Sequence, residues 1–357
     1  MKKHKSVDFA GTNIYIGIDV HKKSWHVTIL YGDVSKRNTF EPSAEILKKH
    51  LDKHYPNGTY RAVYEAGYFG FNSYYELTKL GIETIVVNPA DIPRTDKEKR
   101  NKTDKSDSYK LALALKSGFL KGIYIPSIES QELRSLTRRR EELVQDQTRS
   151  KNRIKSLLSQ YNIKYPEQFT KLGSHWSKRF INWLKEIKFK TTAGNQAIQS
   201  QIQMLEIIRT ELLEVTRIIR KELKDIKLKN NYEKLINIPG IGQTGAAVLQ
   251  TEIMEIERFT SRDKFISYIG LSPNEQSSGE SRKIGHLTRR CNKRIRTILI
   301  EASWLAIKYD PALGQYYNER IVTIGKQKTI IKVARKLANR IRHILLTEET
   351  YEIGIVQ

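Results

Sequence analysis

The sequence predicts an α/β domain followed by a predominantly helical remainder, and the change of hydrophobic period along the chain predicts it. Up to about residue 90, short apolar and β-branched runs alternate with short helical segments; residues 128–230 instead carry long helical periodicity, few glycines and many charges. Strand patterns span residues 13–20, 24–31 and 34–40, with Gly32 and Asp33 as the hairpin turn between the last two. Pro42, Ser43, Ala44 and Glu45 open a helix that runs to His54. Residues 60–66 read as a strand, 71–80 as a helix and 83–88 as a strand, and Asp104 or Ser106 caps a helix that ends near Ser117. The order βββαβαβα is the signature of the ribonuclease H-like fold, whose mixed sheet carries acids at strand ends and on a facing helix.

The helical stretch is interrupted near residues 162–166 and 191–195, so two or three long helices are expected there. They form either a solvated hairpin joining two domains or a coiled-coil arm for self-association or RNA contact. Beyond residue 231 a globular pattern returns, with turn residues Pro239, Gly240, Gly242 and Gly245, a polar loop over 272–282 and a final basic helix over 326–346. Three domains follow: 1–125 around the sheet, 126–230 as helical connector and 231–357 as a mainly α domain.

Composition narrows the partners. The 63 Lys and Arg against 39 Asp and Glu leave a net charge of +24, a self-repulsion that a polyanion such as nucleic acid relieves. The single cysteine, Cys291, excludes an intramolecular disulfide and a cysteine-based zinc site and suits a reducing cytoplasm. The basic start resembles a signal-peptide n-region, but the apolar run after it is short and contains Asp19, and nothing approaches the roughly 18 apolar residues of a membrane span. A soluble protein of a reducing cytoplasm, not associated with membrane, is expected.

Against this basic background four carboxylates stand out. Asp19 ends an Ile-Gly-Ile-Asp strand, and Glu65 ends the fourth strand, Ala-Val-Tyr-Glu; the fold sets those strands side by side. Asp104 and Asp107, three apart, share one face at the start of a helix. Their mutual repulsion is relieved by a divalent cation, and oxygen-only ligation favours Mg²⁺ or Mn²⁺ for phosphodiester chemistry. Singly each has a plainer role: a turn cap for Asp19, an ion pair with Arg61 or a lysine for Glu65, helix caps for Asp104 and Asp107. His21 is a ligand, a proton carrier or a polar turn residue, and Lys22, Lys23, Lys102 and Lys105 either hold phosphates or are simply solvated.

Two further features lie near the carboxyl end. The run from Leu235 through Pro239-Gly-Ile-Gly242 looks like a helix-hairpin-helix, in which Gly240 and Gly242 expose backbone N–H groups to a phosphate or serve close helix packing. After Ser277 and Ser278 come Arg282, Lys283, Arg289, Arg290, Lys293, Arg294 and Arg296, with His286 among them and no acid from 281 to 300. Such a run is a nucleic-acid contact or a solvated face, and it sets serine hydroxyls against any phosphodiester it binds.

Taken together, Ile-Gly-Ile-Asp19-Val-His-Lys, Tyr-Glu65-Ala, Asn88-Pro, Lys102-Thr-Asp104-Lys-Ser-Asp107, Ile-Pro-Gly-Ile-Gly, Tyr-Ile-Gly-Leu-Ser-Pro and Ser278-Gly-Glu closely resemble the DEDD transposases of bacterial insertion sequences, the insertion-sequence-one-ten type. The resemblance spans nearly the whole chain. It implies a RuvC-like amino-terminal domain, a coiled-coil connector and a transposase domain whose nucleophile matches Ser278, with Ser277 as the neighbouring competitor. It also implies a recombinase guided by a bridge RNA that pairs separately with donor and target DNA, working as a dimer or tetramer. Serine transesterification conserves phosphodiester energy, in keeping with the lack of a Walker-type loop. The alternatives are a junction-resolving metal nuclease that uses water and a non-enzymatic nucleic-acid-binding protein.

Overall fold

The computed structural model describes residues 8–92, 104–224, 226–278, 281–288, 290–347 and 349–355. The chain divides into two compact units, residues 1–125 and 126–357.

In the first unit β1 (Asn13–Val20), β2 (Trp25–Tyr31), β3 (Val34–Phe40), β4 (Thr59–Glu65) and β5 (Glu83–Val87) form one sheet in the spatial order β3-β2-β1-β4-β5. The first three strands are an antiparallel meander, and β4 and β5 run parallel to β1. Parallel strands need crossovers, which α1 (Ala44–His54) and α2 (Asn72–Lys79) supply. Ser43 caps α1 by accepting from the Ile46 N–H. One face of the sheet offers Ile14, Ile16, Ile18, Ala62 and Tyr64 to Leu47, Leu51 and Leu77 of these helices.

The opposite face is covered by α3 (Asp104–Lys116), which packs directly on β1 and β2. A Cβ on Gly17 would lie 2.0 Å from the Ser108 carbonyl oxygen and 2.5 Å from the Ala112 nitrogen, so glycine is what lets helix backbone touch strand backbone. Buried Thr28, paired across the sheet with Gly17, shares a 2.8 Å hydrogen bond with the Ser108 hydroxyl. Leu111 completes this layer against Val63, Val87 and Ile92. The topology is the ribonuclease H-like mixed sheet.

In the second unit α4 (Ile128–Gln160) and α6 (Thr192–Glu222) pack as a long helical hairpin. Its far end is more than a turn: α5 (Lys178–Glu186) closes a separate core in which Phe169, Phe180 and Leu184 meet Ile154, Leu158, Ile198 and Ile202. At the near end Leu143, Val215 and Ile219 enter a common core. They share it with α7 (Ile226–Ile236), α8 (Gln243–Ile253), α9 (Arg262–Ile269), α10 (Lys293–Tyr309), α11 (Pro311–Ile324) and α12 (Lys326–Leu346).

One sequence expectation needs correction. Most of the loop expected over 272–282 is instead strand: β6 (Pro273–Ser278) and β7 (Ser281–Leu287) pair as an antiparallel hairpin. The backbone ladder pairs Gln276 with Lys283, Ser277 with Arg282 and Ser278 with Ser281. Neither strand alternates apolar with polar residues, so the period-two signal of a half-buried strand is missing.

Candidate active site

Strand register decides where the acids fall. Ile18 of β1 pairs with Tyr64 of β4, so the next residues, Asp19 and Glu65, stand side by side at the carboxyl ends of two parallel strands. Being one residue on, they belong to the face opposite the buried Ile18 and Tyr64, which is the face that α3 covers. On α3, Asp107 is largely buried beside Ser108, and Lys110 Nζ lies 4.0 Å from its Oδ1. Asp104 is the first residue of α3, but its side chain lies outside the described residues, as do Lys102 and the Lys105 side chain. Asp19, Glu65 and Asp107 are thereby brought to one layer of the fold. Among the described residues no three His, Cys, Asp or Glu side chains are gathered closely enough to hold a metal ion by themselves.

The Asp19 carboxylate, 23% exposed, accepts a hydrogen bond of 3.1 Å from His21 Nε2. His21 also closes the β1–β2 turn through its backbone N–H to the Ser24 carbonyl, so it is both a turn residue and a partner of the acid. Its ring sits edge-on to His26 at 5.8 Å. Arg61, the sequence candidate for pairing with Glu65, instead donates to Glu83 on the neighbouring strand at 3.0 Å. Lys22 and Lys23 are exposed.

Ser277 and Ser278 stand at the tip of the β6–β7 hairpin, in the second unit. The side chains of both serines and of Arg282 and Lys283 lie outside the described residues, as does Arg289 entirely. Arg290 and Lys293 are exposed, and Arg294 is ion-paired with Glu141 of α4. The two predicted phosphate-binding glycines differ. Gly240 has φ +85° and lies so close to α10 that a Cβ would sit 2.4 Å from the Ala302 carbonyl oxygen; around Gly242 nothing comes within 4 Å of such an atom.

The base of the hairpin is anchored by a residue that the motif reading missed. Glu252 of α8 is 1% exposed and takes a forked pair of bonds from Arg138 of α4, at 2.7 and 3.0 Å. Its second oxygen also accepts from the Asn292 amide at 2.9 Å, and its carbonyl accepts from the Tyr268 hydroxyl at 3.2 Å. Asn292 in turn caps α10. One residue thus ties α4, α8, α9 and the start of α10 together, its carboxylate holding Arg138 and Asn292 and its backbone carbonyl holding Tyr268. Burial alone would raise the Glu252 pKa, but the Arg138 bonds and charge, with Asn292 and Arg134, outweigh it and hold the carboxyl below its ordinary value. The available signal was a lone acid in the stretch 246–253, which is otherwise apolar but for Gln250 and Thr251.

Comparison with known proteins assigns the family. Residues 16–163 match the DEDD IS110 family described as Transposase, and residues 232–318 match the family described as Transposase IS116/IS110/IS902. The chain belongs to the IS110/IS116 transposases. The first match covers the sheet, α3 and α4; the second covers the turn at 239–242 and the β6–β7 hairpin. The transposase for insertion sequence element IS1111A of Coxiella burnetii is 25% identical over 80% of this chain and 78% of that protein. A Sinorhizobium fredii protein, y4qE, provisionally named a transposase, is 28% identical over 78% of this chain and 66% of its own length, about two thirds. The IS1328 transposase of Yersinia enterocolitica is 21% identical over 77% and 80%. This transposase is accordingly an enzyme, and among its described residues no helix is long and apolar enough to cross a membrane.

Proposed function

We propose that this transposase cuts and rejoins DNA by transesterification, with Ser278 as nucleophile, Asp19, Glu65, Asp104 and Asp107 as metal ligands, and a guide RNA that pairs with donor and target DNA. The observation that carries the proposal is the register placing Asp19 beside Glu65 on the face occupied by Asp107. These are hard oxygen donors, two of them at open strand ends, and they fit Mg²⁺ or Mn²⁺ better than zinc. When bound, such an ion supplies Lewis-acid charge to the scissile phosphate.

The remaining steps belong to the chain. The Ser278 hydroxyl loses its proton and its oxygen forms a bond to phosphorus; the bond from phosphorus to the departing DNA oxygen breaks, and that oxygen takes up a proton. We assign one of these proton transfers to His21, whose ring is hydrogen-bonded to Asp19. Reversal of the exchange with a second DNA end rejoins the strand without ATP. Arg282, Lys283, Arg289, Arg290, Lys293 and Arg294 hold nucleic-acid backbone, while sequence is read by pairing with the guide. The net charge of +24 supports a polyanionic partner of this size. We place the working form, a dimer or tetramer, in the bacterial cytoplasm at the nucleoid.

The test uses element-end DNA, the candidate guide RNA transcribed from the non-coding flank, and Mg²⁺. Wild type is expected to leave a protein–DNA adduct that survives denaturing electrophoresis, and Ser278→Ala to leave none. Cleavage by both proteins without any adduct would assign the attack to water and overturn the serine mechanism.

A further inference from the structure

Cations that a fold places for its own stability normally face an acid. Among the described residues many of the second unit's exposed cations do not, and three such cations, one of them half-buried, meet in a single cleft. Arg140 of α4 and Arg220 of α6 line one wall of a cleft of about 870 Å³, and Lys293 of α10 lines the same space. Arg140 Nε donates to the Thr216 hydroxyl at 3.0 Å, which fixes the guanidinium without neutralising it. Among the described residues no carboxylate lies within 4 Å of Arg140, Arg220 or Lys293, whereas Arg294 beside them is paired with Glu141. Burial, and then the charge of Arg220, pushes the Arg140 pKa down, as expected of like charges held together with no anion between them.

We infer that this cleft, between the helical hairpin and the turn at 239–242, is a binding site for a phosphodiester backbone, held by Arg140, Arg220 and Lys293. Planar guanidinium groups match the paired oxygens of a phosphate, and two of them from different helices can clamp one group. The cleft volume is that of a ligand site and not of a packing defect. Thr244 and Gln243 add polar groups to its lining, Val144, Val248 and Ile298 add apolar surface for sugar, and the open surroundings of Gly242 let a backbone approach closely; of the two acids that also line it, Glu141 is paired with Arg294, and Glu301 leaves the three cations in excess. The site draws one helix each from the hairpin's two arms, so an occupant would brace that hairpin against α8 and α10.

This inference rests on the reading that nucleic acid is the partner, but not on Ser278 or the four acids. The experiment measures fluorescence anisotropy of the full chain with labelled single-stranded DNA, single-stranded RNA and duplex DNA across a salt series. For the occupying polymer, Arg140→Gln/Arg220→Gln is expected to weaken binding at least tenfold and to reduce the log–log salt slope by roughly 1.4 to 1.8, two contacts' worth. Loss confined to RNA or to DNA names the source of the backbone. Wild-type binding with an unchanged slope in the variant for every probe overturns the site and leaves the proposed function standing. If wild type binds no probe, the proposed function fails and the site with it. Should the double variant not fold, Arg220→Gln alone, an exposed substitution, carries the same test with a slope change of roughly 0.7 to 0.9.

Discussion

Replacing Glu252 by glutamine tests the anchoring of the hairpin. The substitution removes the charge facing Arg138 while keeping the shape, and it leaves a half-buried guanidinium short of its counter-ion. Breaking a fully buried pair costs about 3–5 kcal/mol. Here the carboxylate is 1% exposed but the Arg138 side chain is 39% exposed, so water compensates part of the loss and about 2–3 kcal/mol is expected. For a unit the size of residues 126–357 this corresponds to a fall of about 5–10 °C in Tm. The pH dependence has a definite sign. The folded pKa lies below the ordinary glutamate value, so the stabilisation is present above that value, near 4.3, and is lost as pH falls through the lowered folded pKa. Circular dichroism melts at pH 7 and in acid therefore should show a gap between wild type and Glu252→Gln that narrows in acid. A neutral-pH Tm within about 1 °C of wild type would refute the reasoning, as would a gap that widens in acid.

Other substitutions separate close packing from ligand contact. Gly17→Ala forces α3 off β1 and is expected to cost about 1–3 kcal/mol in urea unfolding, with metal affinity falling as Asp107 moves. Gly240→Ala, which meets both Ala302 and a left-handed φ, should lose a similar amount; Gly242→Ala, with open space around it, should melt as wild type does. Thr28→Val removes the partner of the Ser108 hydroxyl in a dry layer and should cost about 1 kcal/mol.

The sheet was legible because its physics is local and repetitive. Ile14, Ile16 and Ile18 alternate with smaller or polar residues, and strand order then follows from the element sequence. The adjacency of Asp19 and Glu65 was legible for the same reason, since parallel register is set by which side of each strand is apolar. The β6–β7 hairpin was not, because its strands are polar on both sides and are held by backbone pairing, which leaves no mark in composition. Glu252 was missed because its role depends on Arg138 and Asn292, far off in sequence and joined to it only by helix packing. The core at the far end of the hairpin hid in the same way: Phe169, Phe180 and Leu184 sit between the two interruptions at 162–166 and 191–195, in a stretch that reads as one more long helix.

Manganese binding to the purified full chain, followed by electron paramagnetic resonance of the free ion, bears most directly on the central claim and needs neither guide nor DNA. Saturable uptake is expected in wild type, with strong weakening in both Asp19→Asn and Glu65→Gln while their melting curves stay intact. Uptake that is the same in all three proteins would contradict a metal site at the paired strand ends.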